Sequence, residues 1–217
     1  MNPNDPHKDQ PMLFEGAPLD KARAAMIMVH GRGANARSIL TLVPELAQPD
    51  IAYVAPQAAN NTWYPYSFLQ PIASNEPFLT SALNTLAALV RRLNDAGFPN
   101  EKIMLLGFSQ GACLASEFLA HNAARYGGLF ALSGGLIGPD GTPRDYPGSL
   151  DGTPVFLGCS DIDPHIPLAR VHESTEVLRK LGGNVTERIY PGMGHIVNQD
   201  EIEFVRGVMK TLGTQDG

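Results

Sequence analysis

Cysteine is scarce in this chain, with two in 217 residues, Cys113 and Cys159. Two thiols cannot build the disulfide-dense frame of a small secreted domain. Both stand in apolar runs, GACLAS and VFLGCS, which reads as two buried free thiols and fits a reducing cytoplasm. Basic residues are also short: 16 Lys and Arg face 22 Asp and Glu, for a net charge of −6. No basic run or basic patch interleaved with aromatics offsets that balance, so a general nucleic-acid phosphate binder is excluded. No stretch approaches the ~18 consecutive apolar residues of a membrane helix, and no integral membrane association is expected. The opening MNPNDPHKDQP lacks the apolar segment of a signal peptide. Residues 1–11 are expected to form a flexible tail.

What is present is ordinary globular material. Hydrophobic residues make up 43% and charged residues 18%, a mixture that can bury a core without staples at this length. No linker, repeat or low-complexity tract divides the chain, so residues 12–217 are expected as a single domain.

Short apolar runs alternate with helical periodicity. AAMIMVH (24–30), IAYVAP (51–56), KIMLLGF (102–108), GLFALSG (128–134), TPVFLGCS (153–160) and NVTERIYP (184–191) read as strands. Helices are predicted over 36–47, 76–96, the Ala-rich run after Gly111, 167–181 and 199–212. The segment 57–75 holds Trp63, Tyr64, Tyr66 and Phe68 among prolines and amides and reads as a long loop. Loops of this length are uncommon in compact domains and often functional. The alternation argues for an α/β fold, a mainly parallel sheet with helices on both faces. In such sheets the working groups collect at the carboxyl ends of strands.

Four of those ends carry candidate chemistry. Gly107-Phe108-Ser109-Gln110-Gly111 is a G-x-S-x-G turn with a strand before it and a helix after it. Its glycines permit a tight turn that leaves the Ser109 hydroxyl exposed. A serine hydroxyl needs a base to take its proton. His195, in Pro191-Gly192-Met193-Gly194-His195, is the histidine at a late strand end, and an imidazole suits that task near neutral pH. The loop after the 153–158 strand supplies Asp161 and Asp163 to orient the imidazole. Asp163 is favoured because Pro164 restricts its backbone; Asp161 is the alternative, or a group bonded to loop backbone. Glycines in His30-Gly31-Arg32-Gly33 let backbone N–H groups face a bound oxygen, and the amides of Arg32 and Gln110 are the natural oxyanion donors.

Other readings of the same residues are blander. Asp161, Asp163 and His165 form D-x-D-x-H, but no second Cys/His cluster matches it, and no metal is expected. His30 reads as a hydrogen-bonded core histidine and the Arg32 side chain as solvated, with attraction of an anionic substrate as the alternative. His7, His121 and His172 stand in no motif.

Taken together, the chain resembles the phospholipase/carboxylesterase family of α/β-hydrolases, which also contains the acyl-protein thioesterases. The resemblance rests on VHGRGAN (29–35), APQAANNTWYPYSF (55–68), LLGFSQGACLA (105–115), DIDPHIPL (161–168) and YPGMGH (190–195), in that order, and spans about residues 20–213. It implies an α/β-hydrolase fold without a large cap domain. It also implies Ser109 as nucleophile, His195 as base, Asp163 as its partner, and hydrolysis of carboxylic esters or thioesters without a cofactor. The WYPYSF stretch is closer to the bacterial esterase branch than to the thioesterases.

The expectation is a cytoplasmic serine carboxylesterase acting on a small-molecule ester, with a homodimer kept open as its assembly. Gly31, Trp63 and Phe68 are expected at the substrate, the two aromatics walling an acyl pocket. A thioesterase, lysophospholipase or dienelactone-type lactone hydrolase on the same three side chains is the first alternative. A non-catalytic binding module on the same fold is the second; it predicts loss of one of the three, and all are present.

Overall fold

The structure is a computed structural model that describes residues 5–212. Seven strands form one sheet: β1 (Met12–Gly16), β2 (Ala24–Val29), β3 (Ile51–Pro56), β4 (Ile103–Phe108), β5 (Gly128–Leu132), β6 (Pro154–Ser160) and β7 (Asn184–Tyr190). They lie in the order β1-β3-β2-β4-β5-β6-β7. All neighbours are parallel except β1, which runs antiparallel to β3. Parallel strands β2 to β6 are apolar along nearly their whole length because both sheet faces are covered there, whereas the outer parallel strand β7 (NVTERIY) is polar and only partly buried. In β2, Ala25, Ile27 and Val29 pack on one side while Ala24, Met26 and Met28 pack on the other.

Six helices supply the cover: α1 (Ala36–Leu40), α2 (Val43–Leu46), α3 (Phe78–Asp95), α4 (Gln110–His121), α5 (Leu168–Lys180) and α6 (Gln199–Thr211). Helices α3, α4 and α5 bury Leu86, Phe118 and Val171 against one face. Helices α1, α2 and α6 bury Ile39, Leu46 and Val205 against the other. This is the α/β-hydrolase architecture.

The parallel register sets up the site. Val29 lies beside Gly107, Phe108 beside Leu132, Leu132 beside Gly158, and Ser160 beside Tyr190. The loops leaving β2, β4, β6 and β7 therefore emerge along one edge of the sheet.

Three expectations change. Residues 12–16 form an edge strand that the sequence did not announce, because the MLFEG stretch lacks β-branched residues and leaves Phe14 49% exposed. The helix expected over 36–47 is two short ones with a break at Thr41 and Leu42, and Pro44 starts the second turn. The tail expected over 1–11 is packed from residue 5 onward, while residues 1–4 lie outside the described part. Its anchor is His7, which is buried: its backbone N–H donates to Ser81 Oγ at 3.0 Å. The His7 ring accepts the Ala59 N–H at Nδ1, 3.0 Å away, and its Nε2 lies 2.9 Å from the Trp63 carbonyl. A ring that accepts at Nδ1 is protonated at Nε2 and donates there. Burial lowers the pKa of His7 and favours that neutral form.

Candidate active site

Ser109 sits between β4 and α4 at φ 56°, ψ −121°, a strained conformation for a residue with a side chain. The flanking glycines are there for space. A Cβ on Gly107 would lie 2.3 Å from the Gly111 carbonyl oxygen, and one on Gly111 would lie 2.1 Å from the Val29 carbonyl oxygen. The Ser109 N–H is tied to Leu132 O at 2.9 Å, and its carbonyl accepts from Cys113 N–H at 3.0 Å. The turn thus holds the hydroxyl above the sheet edge.

Two loops meet the hydroxyl there. His195 Nε2 lies 2.8 Å from Ser109 Oγ, and His195 Nδ1 lies 2.7 Å from Asp163 Oδ2. The other carboxylate oxygen of Asp163 accepts the N–H groups of His165 (2.8 Å) and Ile166 (3.1 Å). Burial works to raise the Asp163 pKa, but the hydrogen bonds from His195, His165 and Ile166 outweigh it and hold the carboxyl below its usual range. An ionised carboxylate can only accept, so Nδ1 carries the imidazole proton and Nε2 is left to accept from the serine hydroxyl.

Asp161 points elsewhere. Its Oδ1 accepts the Gly192 N–H at 2.8 Å, and the neighbouring Ser160 hydroxyl donates to the Met193 carbonyl. These two residues fasten the histidine loop to the aspartate loop, a long-range contact that no local pattern advertises. Both carboxylate oxygens of Asp163 are thus engaged, Oδ1 by His165 and Ile166 and Oδ2 by His195.

The backbone N–H groups of Arg32 and Gln110 flank Ser109 and have no protein acceptor among the described residues. Gly31 stands against the nucleophile turn, where a Cβ would come within 3.4 Å of the Ser109 Cβ. The side chains of Arg32 and Gln110 both reach the aromatic loop. Gln110 Oε1 accepts the Trp63 N–H at 2.9 Å and its Nε2 donates to Tyr64 O at 2.8 Å. Arg32 Nη1 donates to Pro65 O at 2.7 Å and Nη2 to Tyr66 O at 2.5 Å. Arg32 is thus exposed, as the sequence suggested, and its guanidinium is also tied to the aromatic loop.

A cleft of about 480 Å³ opens beside His195 and is walled by Tyr66, Phe68, His165 and Ile166. Phe68 borders this cleft. Trp63 does not: it is 0% exposed, its indole N–H donates to the His30 carbonyl at 2.8 Å, and its ring packs against His7 and His30. The indole N–H found its partner inside the fold, so the aromatic loop shows the cleft Tyr66 and Phe68 instead. His30 is the buried, hydrogen-bonded histidine expected, with Nδ1 2.8 Å from its neighbour's carbonyl, Nε2 accepting from Ala58 N–H, and its pKa lowered by burial. Cys113 and Cys159 are free and buried, and burial pushes both thiols up to about 12.

The family profile described as phospholipase/carboxylesterase matches residues 16–212. The chain belongs to that family. A crystal structure of a phospholipase/carboxylesterase from Dyadobacter fermentans is similar at 40% identity and TM-score 0.90, covering 93% of this chain and 97% of that one. An acyl-protein thioesterase 1 of the yeast Debaryomyces hansenii is 29% identical over 92% of this chain and 97% of its own length. The Bacillus cereus carboxylesterase, at 20% identity and TM-score 0.72 over 94% and 95% of the two chains, shares the fold. As a member of this phospholipase/carboxylesterase family the protein is a serine hydrolase by descent. Among the described residues no helix is long and apolar enough to cross a membrane.

Proposed function

We propose that this member of the family is a carboxylesterase that works through an acyl-enzyme on Ser109. The observation that carries the reading is the unbroken hydrogen-bond line from Ser109 Oγ through His195 to Asp163, at 2.8 and 2.7 Å. His195 Nε2 takes the hydroxyl proton as Ser109 Oγ attacks the ester carbonyl carbon. The negative carbonyl oxygen that results is held by the Arg32 and Gln110 N–H groups, worth roughly 3 kcal/mol each. Collapse expels the alcohol, which leaves with the proton from His195. Water, deprotonated by the same nitrogen, then attacks the acyl-enzyme and returns Ser109 with release of the acid. Asp163 keeps Nδ1 protonated throughout and stabilises the imidazolium. Phe68 and Tyr66 contact the acyl chain. The buried free thiols fit a cytoplasmic setting.

Esters are placed ahead of thioesters because the 40% identical relative is titled a phospholipase/carboxylesterase. The thioester reading stays as the second, on the name of the yeast relative. The test is a panel of ester, thioester and lactone substrates on the wild type beside Ser109→Ala, with fluorophosphonate labelling in parallel. Ester turnover and labelling are expected in the wild type and absent in the variant. Faster thioester turnover selects the second reading. Labelling that survives Ser109→Ala, or no turnover of any class, overturns the first and the second together.

A further inference from the structure

We infer that the cleft is selective for esters carrying a carboxylate, and that Arg32 is the specificity residue that recognises it. This rests on the hydrolase reading of Ser109 given above and adds a substrate class to it.

Three observations carry it. First, Arg32 lines the cleft together with Gln110, His165 and His195, and no Asp or Glu lines it with them. Second, the charge of Arg32 is not neutralised. Its hydrogen-bond acceptors are the Thr62 hydroxyl and the carbonyls of Pro65 and Tyr66, and its guanidinium lies 5.9 Å over the Tyr64 ring. Carbonyls and an aromatic face orient a guanidinium but leave its full positive charge in place. Most other arginines held by side-chain bonds answer to carboxylates, Arg23 to Asp50, Arg144 to Glu173, Arg170 to Asp140, Arg179 to Glu176 and Arg188 to Asp200, while Arg125 is held by the Asp151 carbonyl and Arg92 by Met12 Sδ, both away from the cleft. Arg32 has no such partner among the described residues. Third, the one carboxylate joined to the reacting groups, Asp163, has a wholly buried side chain behind His195, to whose Nδ1 it is hydrogen-bonded, so it does not reach the cleft mouth where Arg32 stands.

The consequence follows from the charge balance. The protein as a whole carries −6 and repels an anion at long range. A single oriented cation beside the reacting serine is a local exception, and it is already ordered by its loop contacts. Binding a carboxylate there costs little further side-chain entropy and satisfies guanidinium N–H groups that the loop leaves free. The same residue supplies the backbone N–H facing the oxyanion, so a carboxylate held by the side chain stays close to the scissile carbonyl.

The experiment compares kcat/KM for two matched pairs. On the acyl side, para-nitrophenyl hydrogen adipate is set against para-nitrophenyl hexanoate; on the alcohol side, para-acetoxybenzoate is set against para-acetoxybenzamide. Wild type, Arg32→Lys and Arg32→Gln are measured, and the anionic-to-neutral ratio is the readout, so a general loss from disturbing the loop cancels. In the wild type the ratio should exceed one by roughly fivefold in at least one pair at low ionic strength. It should shrink from about 0.02 M to about 0.5 M salt, persist in Arg32→Lys and vanish in Arg32→Gln. A ratio at or below one in both pairs, or one that Arg32→Gln leaves untouched, overturns the inference while neutral-ester turnover leaves the esterase reading standing. Failure of the wild type on all four substrates removes both.

Discussion

Arg32 and Gln110 hold the same loop at successive residues: Gln110 through Trp63 N–H and Tyr64 O, Arg32 through the carbonyls of Pro65 and Tyr66. Their backbone N–H groups are the pair proposed above to face the reacting oxygen. The position of the aromatic loop and the aim of the two donors are therefore mechanically linked. Gln110→Ala leaves the buried Trp63 N–H without its partner, at a cost of about 1–3 kcal/mol, while the Tyr64 carbonyl keeps the Thr62 hydroxyl. The expected result is a lower urea midpoint together with a fall in kcat of about tenfold or more, with KM nearly unchanged. An unaltered kcat would disconnect the loop from the donors.

The two aspartates of the DIDP loop separate cleanly by variant. Asp163→Asn should lower kcat by about 10⁴, because the imidazole loses the acceptor that keeps Nδ1 protonated. Asp161→Asn removes a charge but keeps an oxygen for the Gly192 N–H, and should cost less than tenfold. Steady-state kinetics on both variants checks this, and the opposite ranking would transfer the orienting role to Asp161.

Trp63 and Phe68 should answer chain-length experiments differently. Trp63 is buried with its indole N–H bound to the His30 carbonyl, whereas Phe68 borders the cleft. Trp63→Phe is expected to lower the thermal midpoint and leave the preference among acetyl, butyryl and hexanoyl esters as it was. Phe68→Ala should shift that preference towards longer chains.

Glu201 makes stability depend on pH away from the reacting groups. Its carboxyl is 0% exposed, Oε1 has no hydrogen-bond partner among the described residues, and burial raises its pKa from 4.5 to about 7. The raised value means the folded state holds a proton that the unfolded chain releases above its ordinary carboxylate pKa. Stability from this group is complete below about pH 4.5 and is lost as pH rises towards 7. At 1.36 kcal/mol per pKa unit the loss is on the order of 3 kcal/mol. Glu201→Gln keeps an oxygen for the Asn198 N–H and should flatten the decline in urea midpoint between pH 5 and 8. A wild-type midpoint that rises over that range would contradict the assignment.

Gly111 tests the turn itself. Gly111→Ala puts a methyl 2.1 Å from the Val29 carbonyl oxygen, and backbone cannot step aside there. Gly33→Ala meets nothing within 4 Å but must adopt φ +73°, at about 1 kcal/mol. The first should yield little folded protein, the second a folded enzyme with a slightly lower midpoint, as circular dichroism melts would report.

The parts of the site legible in the sequence are those encoded within a few residues. The Gly107–Gly111 turn, the strand ends and the proline after Asp163 each act locally, and the residues brought together in space, Ser109, His195 and Asp163, all lie in such segments. The edge strand at Met12–Gly16 was not legible, since an outer strand with an exposed Phe14 lacks the apolar run that marks its buried neighbours. His7 was passed over for a related reason: a histidine in a polar, proline-rich opening carries no periodicity, and its partners Ala59 and Trp63 are 52 and 56 residues away.

Residue order alone determined the strand–helix alternation, the tight serine turn and the candidates Ser109, Asp163 and His195, because backbone sterics and apolar periodicity operate over one turn or one strand. Only the folded sheet decided that Asp161 would hold Gly192, that Trp63 would be enclosed, and that the guanidinium of Arg32 would bond the carbonyls of Pro65 and Tyr66 at the cleft. Those outcomes depend on which loops the parallel register sets side by side, and hydrogen bonds spanning 31 to 34 residues leave no trace in the local pattern at either end.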